Sequence, residues 1–152
     1  MFIYEDRVGV WGFVISKEGL KMDPQKIEAI MEWSSPRNVN EVRIFHGLNS
    51  FFGKFIRNFS SICAPIVETI NQGHQPFLWT KESKEGFWLL KQKITEKPIL
   101  ALLHFNTLFD VKCDASWMDI GAILSQEEKH IAYLSKKLND AKKKYSSYDK
   151  EF

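Results

Sequence analysis

Cysteine is scarce in this chain: only Cys63 and Cys113 occur in 152 residues. Two thiols at that separation match no zinc or redox spacing and give no disulfide framework. The expectation is two buried thiols in a reducing compartment. Histidine is thinly spread as well. His46, His74, His104 and His130 lie too far apart in sequence to suggest a metal centre. No stretch approaches the roughly 20 consecutive apolar residues that a membrane helix needs. The opening MFIYEDR is too short an apolar run for a signal peptide. An intracellular, non-secreted protein is therefore expected, with cytoplasm and nucleus undistinguished. Charge of one sign is also lacking. The net charge is +2, so global charge makes no case for nucleic-acid binding. Repeats and low-complexity segments are absent.

What is abundant is apolar and aromatic. The chain is 44% hydrophobic and 14% aromatic, with five Trp and twelve Phe. That composition is globular and can fill a core, in one domain or two small subdomains. Charge is uneven only near the end. Seven lysines and two acids, Asp140 and Asp149, fall between Lys129 and Lys150. From charge alone this reads as a solvated basic face.

The pattern along the chain predicts an α+β fold. VGVWGFVI (8–15) is a β-type run, SKEG supplies turn residues and LKM follows, together a hairpin. Asp23 and Pro24 are a cap and a first helical residue, with Ile27, Ile30, Met31 and Trp33 at helical spacing. Asn38 and Glu41 have capping-box spacing. Val42, Phe45, Leu48, Phe52, Phe55 and Phe59 then recur every three or four residues. Gly47 and Gly53 argue for two short helices with a bend rather than one long helix. APIVETIN (64–71) reads as a further short helix and NQGHQP as a loop. Thr80 caps a helix to about Glu96, carrying Phe87, Leu90 and Ile94 on one face and stopped by Pro98. ILALL, LFDVKCDA, IGAILSQ and HIAYLS then read as strands. A last helix opens at Asn139 or Asp140, with Tyr145, Tyr148 and Phe152 on one face. Phe51, Phe52 and Phe55 read as core aromatics rather than base-stacking platforms, since no strand face displays them.

In this order the segments resemble the Pol polyprotein of gypsy-type long-terminal-repeat retrotransposons, from the end of the reverse transcriptase into RNase H. The residues carrying the resemblance are VWGFVIS, DPQKIEAIMEW, PRNVNEVRIFHGLNSFFGKFIRNFS, APIVETI, FLWT, KPILAL, CDAS, IGAILSQ, IAYLSKKL and YSSYDKEF. Together they cover nearly the whole chain, and the wording is plant-like. The resemblance implies three parts: the end of the polymerase palm at 1–22, thumb or connection helices at 23–97, and the N-terminal part of an RNase H-like domain at 98–152. The implied fold is a short hairpin, a helical segment and an incomplete RNase H-like mixed sheet with a truncated helix.

The resemblance also implies roles. The hairpin with Trp11 and Gly12 at its centre would grip a primer strand. Lys54 and Arg57 would contact phosphates of a template–primer or RNA–DNA hybrid duplex, with Arg43 behind them. Asp114 and Glu151 would be catalytic metal ligands, with Asp149 ranked lower because it sits on another helix face. Four carboxylates holding two Mg²⁺ ions would cleave the RNA strand. Residues 1–152 contain two of these four, and no adjacent aspartates of a polymerase site. The resemblance therefore predicts a catalytically incomplete segment with weak or absent Mg²⁺ binding. Alternatives are a non-enzymatic or co-opted module that binds hybrid duplex, and part of a longer active enzyme. Trp117 and Asp119 depart from the small residues usual there, and His46, Gly53, Leu103 and His104 also depart from the family pattern. A sheet lacking its later strands would leave an open edge suited to self-association.

Overall fold

The structure, a computed structural model, describes residues 2–4, 7–72, 76–115 and 119–138. The chain begins with an antiparallel meander of β1 (Phe2–Tyr4), β2 (Arg7–Val10), β3 (Phe13–Ser16) and β4 (Gly19–Met22). VGVWGFVI is thus two strands rather than one run. Val10 pairs with Phe13 across a two-residue turn in which Trp11 and Gly12 have φ of +52° and +84°. Two successive left-handed residues give the turn whose twist matches the flanking strands. Periodicity could not reveal it, because the turn residues are themselves apolar or small.

Four helices follow. Asp23 caps α1 (Pro24–Met31), its carboxylate accepting from the Gln25 amide at 2.9 Å. Asn38 caps α2 (Val39–Ser50), accepting from the Glu41 amide at 2.9 Å. Glu41 reaches back one residue further than a standard capping box, to the Arg37 amide at 2.8 Å. A short 3-10 turn, Gly53–Phe55, makes the bend. α3 (Phe59–Gln72) then runs unbroken through Pro65, so APIVETIN is its latter part and not a separate helix. Proline at this point lacks the amide that would donate to the carbonyl four residues back, while its own carbonyl takes side-chain donors. That carbonyl accepts from Ser83 Oγ at 2.9 Å and Thr69 Oγ at 3.2 Å. Thr80 caps α4 (Lys81–Thr95), its hydroxyl accepting from the Ser83 amide at 3.1 Å.

ILALL contributes only β5 (Ile99–Leu100), which pairs with β4 to complete a five-stranded sheet. Any Cβ at Gly19, φ +131°, would overlap the Leu100 carbonyl oxygen, so this pairing needs glycine. Just after β5, the Ala101 amide donates to the His130 carbonyl at 2.8 Å. The chain then enters a second antiparallel sheet of β6 (Asp110–Ala115), β7 (Asp119–Gln126) and β8 (Lys129–Lys137), in that order. Among the described residues β6 has a strand neighbour on one side only. The last expected helix, with Glu151 and Asp149, lies outside the described residues, as do His74 and Trp117.

The core gathers Ile30, Val42, Phe45, Phe52, Phe55, Ile66, Phe87, Leu90 and Ile94, with Met22 and Leu100 from the first sheet. Phe52 and Phe55 are buried as expected, whereas Phe51 is half exposed and stacks on Phe13 at 4.9 Å. Lys91 is buried on α4 and caps the end of α1, donating to the Met31 carbonyl at 3.0 Å and to the Trp33 carbonyl. Its ammonium also lies over Phe87, 4.7 Å from the ring centre. α3 and α4 approach closely where Gly86 faces the Ile62 carbonyl. A Cβ at Gly86 would lie 2.7 Å from that oxygen.

The two cysteines differ, contrary to the expectation of two buried thiols. Cys63 lies in the core, where burial raises its thiol pKa to about 12, while Cys113 is exposed on β6. Among the described residues β6 has one free edge and leaves the Cys113 side chain exposed. A disulfide-exchange reagent at neutral pH should therefore label one thiol in the native chain and both after denaturation. Rapid native labelling of both would contradict the packing of α3. Gly86→Ala should destabilise by about 1–3 kcal/mol through overpacking, despite alanine's better helix propensity. Urea denaturation followed by tryptophan fluorescence reads this change.

Candidate functional site

Two surfaces collect the residues that the sequence singled out. The first is the tip of the β2–β3 hairpin. Trp11 is 86% exposed there, with positive φ. A bulky residue in the left-handed region is strained by about 1–2 kcal/mol relative to the right-handed one. An exposed Trp recovers little of that through packing. Beneath it Phe13 stacks on Phe51 and Phe55, and the Lys54 ammonium sits 4.2 Å from the centre of the Phe13 ring. Desolvation on these rings lowers the Lys54 pKa below the ordinary lysine value. Lys54 is thus a cation held over aromatic faces, one of them Phe13, two residues from the exposed Trp11.

The second surface surrounds Asp114. Asp114 on β6 pairs with Gly121 on β7, and Gly121 pairs with Ser135 on β8. Residues paired across antiparallel strands share a face. That face is turned toward α3. Ser60 donates its amide to Ser135 Oγ at 2.8 Å and its hydroxyl to the Ser135 carbonyl at 2.7 Å. The Ser61 hydroxyl donates to the Asp119 carboxylate. Asp119 thus places negative charge at the first turn of α3, where the helix dipole favours it. The departure from a small residue at position 119 therefore has a structural use here.

These contacts bring Arg57 and Asn58 to the sheet. Asn58 takes a left-handed φ of +59°, which asparagine tolerates, and its backbone carbonyl accepts from the Ser61 and Ile62 amides at 3.1 Å each. A cavity of about 140 Å³ results, lined by Arg57, Asn58, Lys112, Asp114, Asp119 and Gly121, among others. Asp114 is exposed, and its carboxylate makes no hydrogen bond or ion pair with another described residue. Its hard oxygens suit one ligand position of a divalent cation. No group of three or more His, Cys, Asp or Glu that could hold a metal occurs among the described residues. The sequence reading placed Lys54 and Arg57 on one duplex-binding surface. The structure puts Lys54 against the first sheet and Arg57 beside Asp114. It also adds Lys112 and Asn58, which carried no signal in sequence, because only tertiary packing brings α3 to β6.

A family model described as the RNase H-like domain found in reverse transcriptase matches residues 79–152. The Pol polyprotein of the Drosophila melanogaster transposon 297 is 34% identical over 92% of the chain, and that of transposon gypsy is 33% identical over 97%. The chain belongs to the retrotransposon Pol family. It spans 13% and 15% of the length of those two relatives. The Pol match runs through the helices and both sheets, although the fly relatives give the plant-like wording no support. A foamy viral protease-reverse transcriptase solved with an RNA/DNA hybrid superposes with a TM-score of 0.88, at 23% identity, over 96% of this chain and 20% of that one. At that identity the likeness is one of fold. RNase H-like domains of reverse transcriptases typically use divalent metal ions.

Trp11→Asn should relieve the turn strain, because asparagine favours this conformation. A stability gain of about 0.5–1 kcal/mol is expected from thermal or urea unfolding. A loss of stability would mean that the Trp11 ring has a packing role in the folded state.

Proposed function

We propose that this Pol region tracks a nucleic-acid duplex from the polymerase part of Pol to its RNase H-like part, and supplies the first carboxylate of the hydrolytic site. The reading is carried by Asp114, an exposed carboxylate beside two cations on the sheet face to which α3 is bound. The Pol relatives and the foamy viral fold support it further. RNA–DNA hybrid and template–primer duplex are the proposed partners.

In this reading Trp11 presses on the sugar–base edge of the primer strand, and Gly12 lets the hairpin turn beneath it. Lys54 and Arg57 contact phosphates, which orient the duplex without reading its sequence. Asp114 and Glu151 would hold Mg²⁺, and Glu151 lies outside the described residues. The metal would supply water activation and charge neutralisation at the leaving oxygen. Asp114 contributes a fixed anionic ligand on a strand, so little of it needs to reorganise. Two carboxylates give weak metal binding, and strong hydrolysis requires the further aspartates of the family. The open edge of β6 also supports pairing with a second copy, and a mass independent of concentration in sedimentation would remove that part.

The deciding experiment is fluorescence anisotropy with a labelled RNA–DNA hybrid at increasing salt. Binding that weakens as log salt rises is expected, with Trp11→Asn and Lys54→Ala both reducing affinity. No binding at low salt would sink the reading. Asp114→Asn should weaken Mg²⁺ binding by calorimetric titration, and an unchanged titration would remove Asp114 as a ligand.

A further inference from the structure

We infer that Arg57 and Lys112 form one phosphate grip across the cavity beside Asp114, a site separate from the Trp11–Lys54 surface. The inference rests on the duplex-binding reading above and specifies where one of its phosphates sits.

The two cations come from distant parts of the chain. Arg57 lies in the turn ahead of α3, and Lys112 lies on β6 two residues before Asp114. Alternation along a strand therefore puts Lys112 and Asp114 on the same face. That is the face to which Ser60 and Ser135 bind α3. Arg57 and Lys112 consequently border a single cavity of about 140 Å³. Neither makes an ion pair with another described residue. Of the two carboxylates in the lining, Asp119 accepts the Ser61 hydroxyl, while Asp114 has no partner among the described residues.

The charge of the lining favours a phosphate, since Arg57 and Lys112 both border the cavity and Asn58 adds a polar side chain. Gly121 keeps the floor open. A Cβ there would meet only Asp114 O at 3.9 Å and Asn58 Oδ1 and Leu134 O at 4.0 Å. Arginine presents a planar fork and lysine a point charge, so the pair can hold two oxygens of one phosphate without competing for the same geometry. A duplex strand seated there runs directly past Asp114. Arg57 and Lys112 are therefore positioning residues for that strand.

The test uses the 152-residue chain and a labelled RNA–DNA hybrid, with affinity measured over a salt series without divalent metal. Compared are Arg57→Gln, Lys112→Gln, their double variant, and Lys54→Gln combined with Arg57→Gln. Each phosphate neutralised contributes about 0.9 to the slope of log K against log salt. One shared phosphate predicts that the Arg57/Lys112 double variant lowers the slope by about 1 in total. It also predicts that the Lys54/Arg57 pair behaves additively. A fall of about 2 for the Arg57/Lys112 pair would mean two separate phosphates and would overturn the shared grip. Unchanged affinity and slope in the double variant, with wild-type binding intact, would overturn the site while leaving duplex binding standing. A wild-type chain that binds no hybrid would overturn both. A circular dichroism melt of each variant separates unfolding from lost contacts, and the exposed positions predict unchanged melting.

Discussion

The two-sided attachment of α3 is the constraint on which the rest of this structure depends. On one side Gly86 lets α4 come within overlap distance of the Ile62 carbonyl, and Ser83 joins Thr69 and the Pro65 carbonyl across the same seam. On the other side Ser60 exchanges hydrogen bonds with Ser135 on β8. The first contact combines close packing with hydrogen bonds of Ser83, and the second is polar and directional. Together they set the orientation of the second sheet toward the helices. The position of Asp114 relative to Arg57 follows from that geometry and from nothing local to either residue.

The candidate surfaces divide the labour between rigidity and exposure. Phe13 with its stacked partners forms a firm base under Trp11 and Lys54, and a cation held over aromatic rings loses little freedom on meeting a phosphate. Around Asp114 the rigidity comes from strand pairing instead. Strain is retained at the hairpin tip, where a Trp occupies a turn position that asparagine or glycine would fill more comfortably. Backbone strain retained at an exposed aromatic is the pattern expected of a contact residue rather than a packing one.

The helical half was largely legible. Asp23, Asn38 and Thr80 each cap the helix that their spacing predicted, because capping is a local hydrogen bond between a side chain and amides two or three residues on. Phe87, Leu90 and Ile94 are all fully buried, because helical periodicity alone decides a shared face. The errors have physical causes too. VGVWGFVI hid a turn because Trp11 adopts a conformation that its chemistry disfavours. α3 passes through Pro65, and there the Ser83 hydroxyl from α4, far off in sequence, donates to the Pro65 carbonyl. Cys113 was expected inside because the strand pattern does not show which face finds a cover.

The sequence by itself determined the Pol resemblance, the α+β order of elements and the capped starts of α1, α2 and α4, because those depend on residue type and short-range spacing. Only the tertiary structure decided that β5 belongs to the first sheet, that Lys54 and Arg57 serve different surfaces, and that Lys112 stands beside Arg57. Those are relations between residues tens of positions apart. They are fixed by packing at Gly86 and Gly19 and by the Ser60–Ser135 contact, and no pattern within one element encodes them.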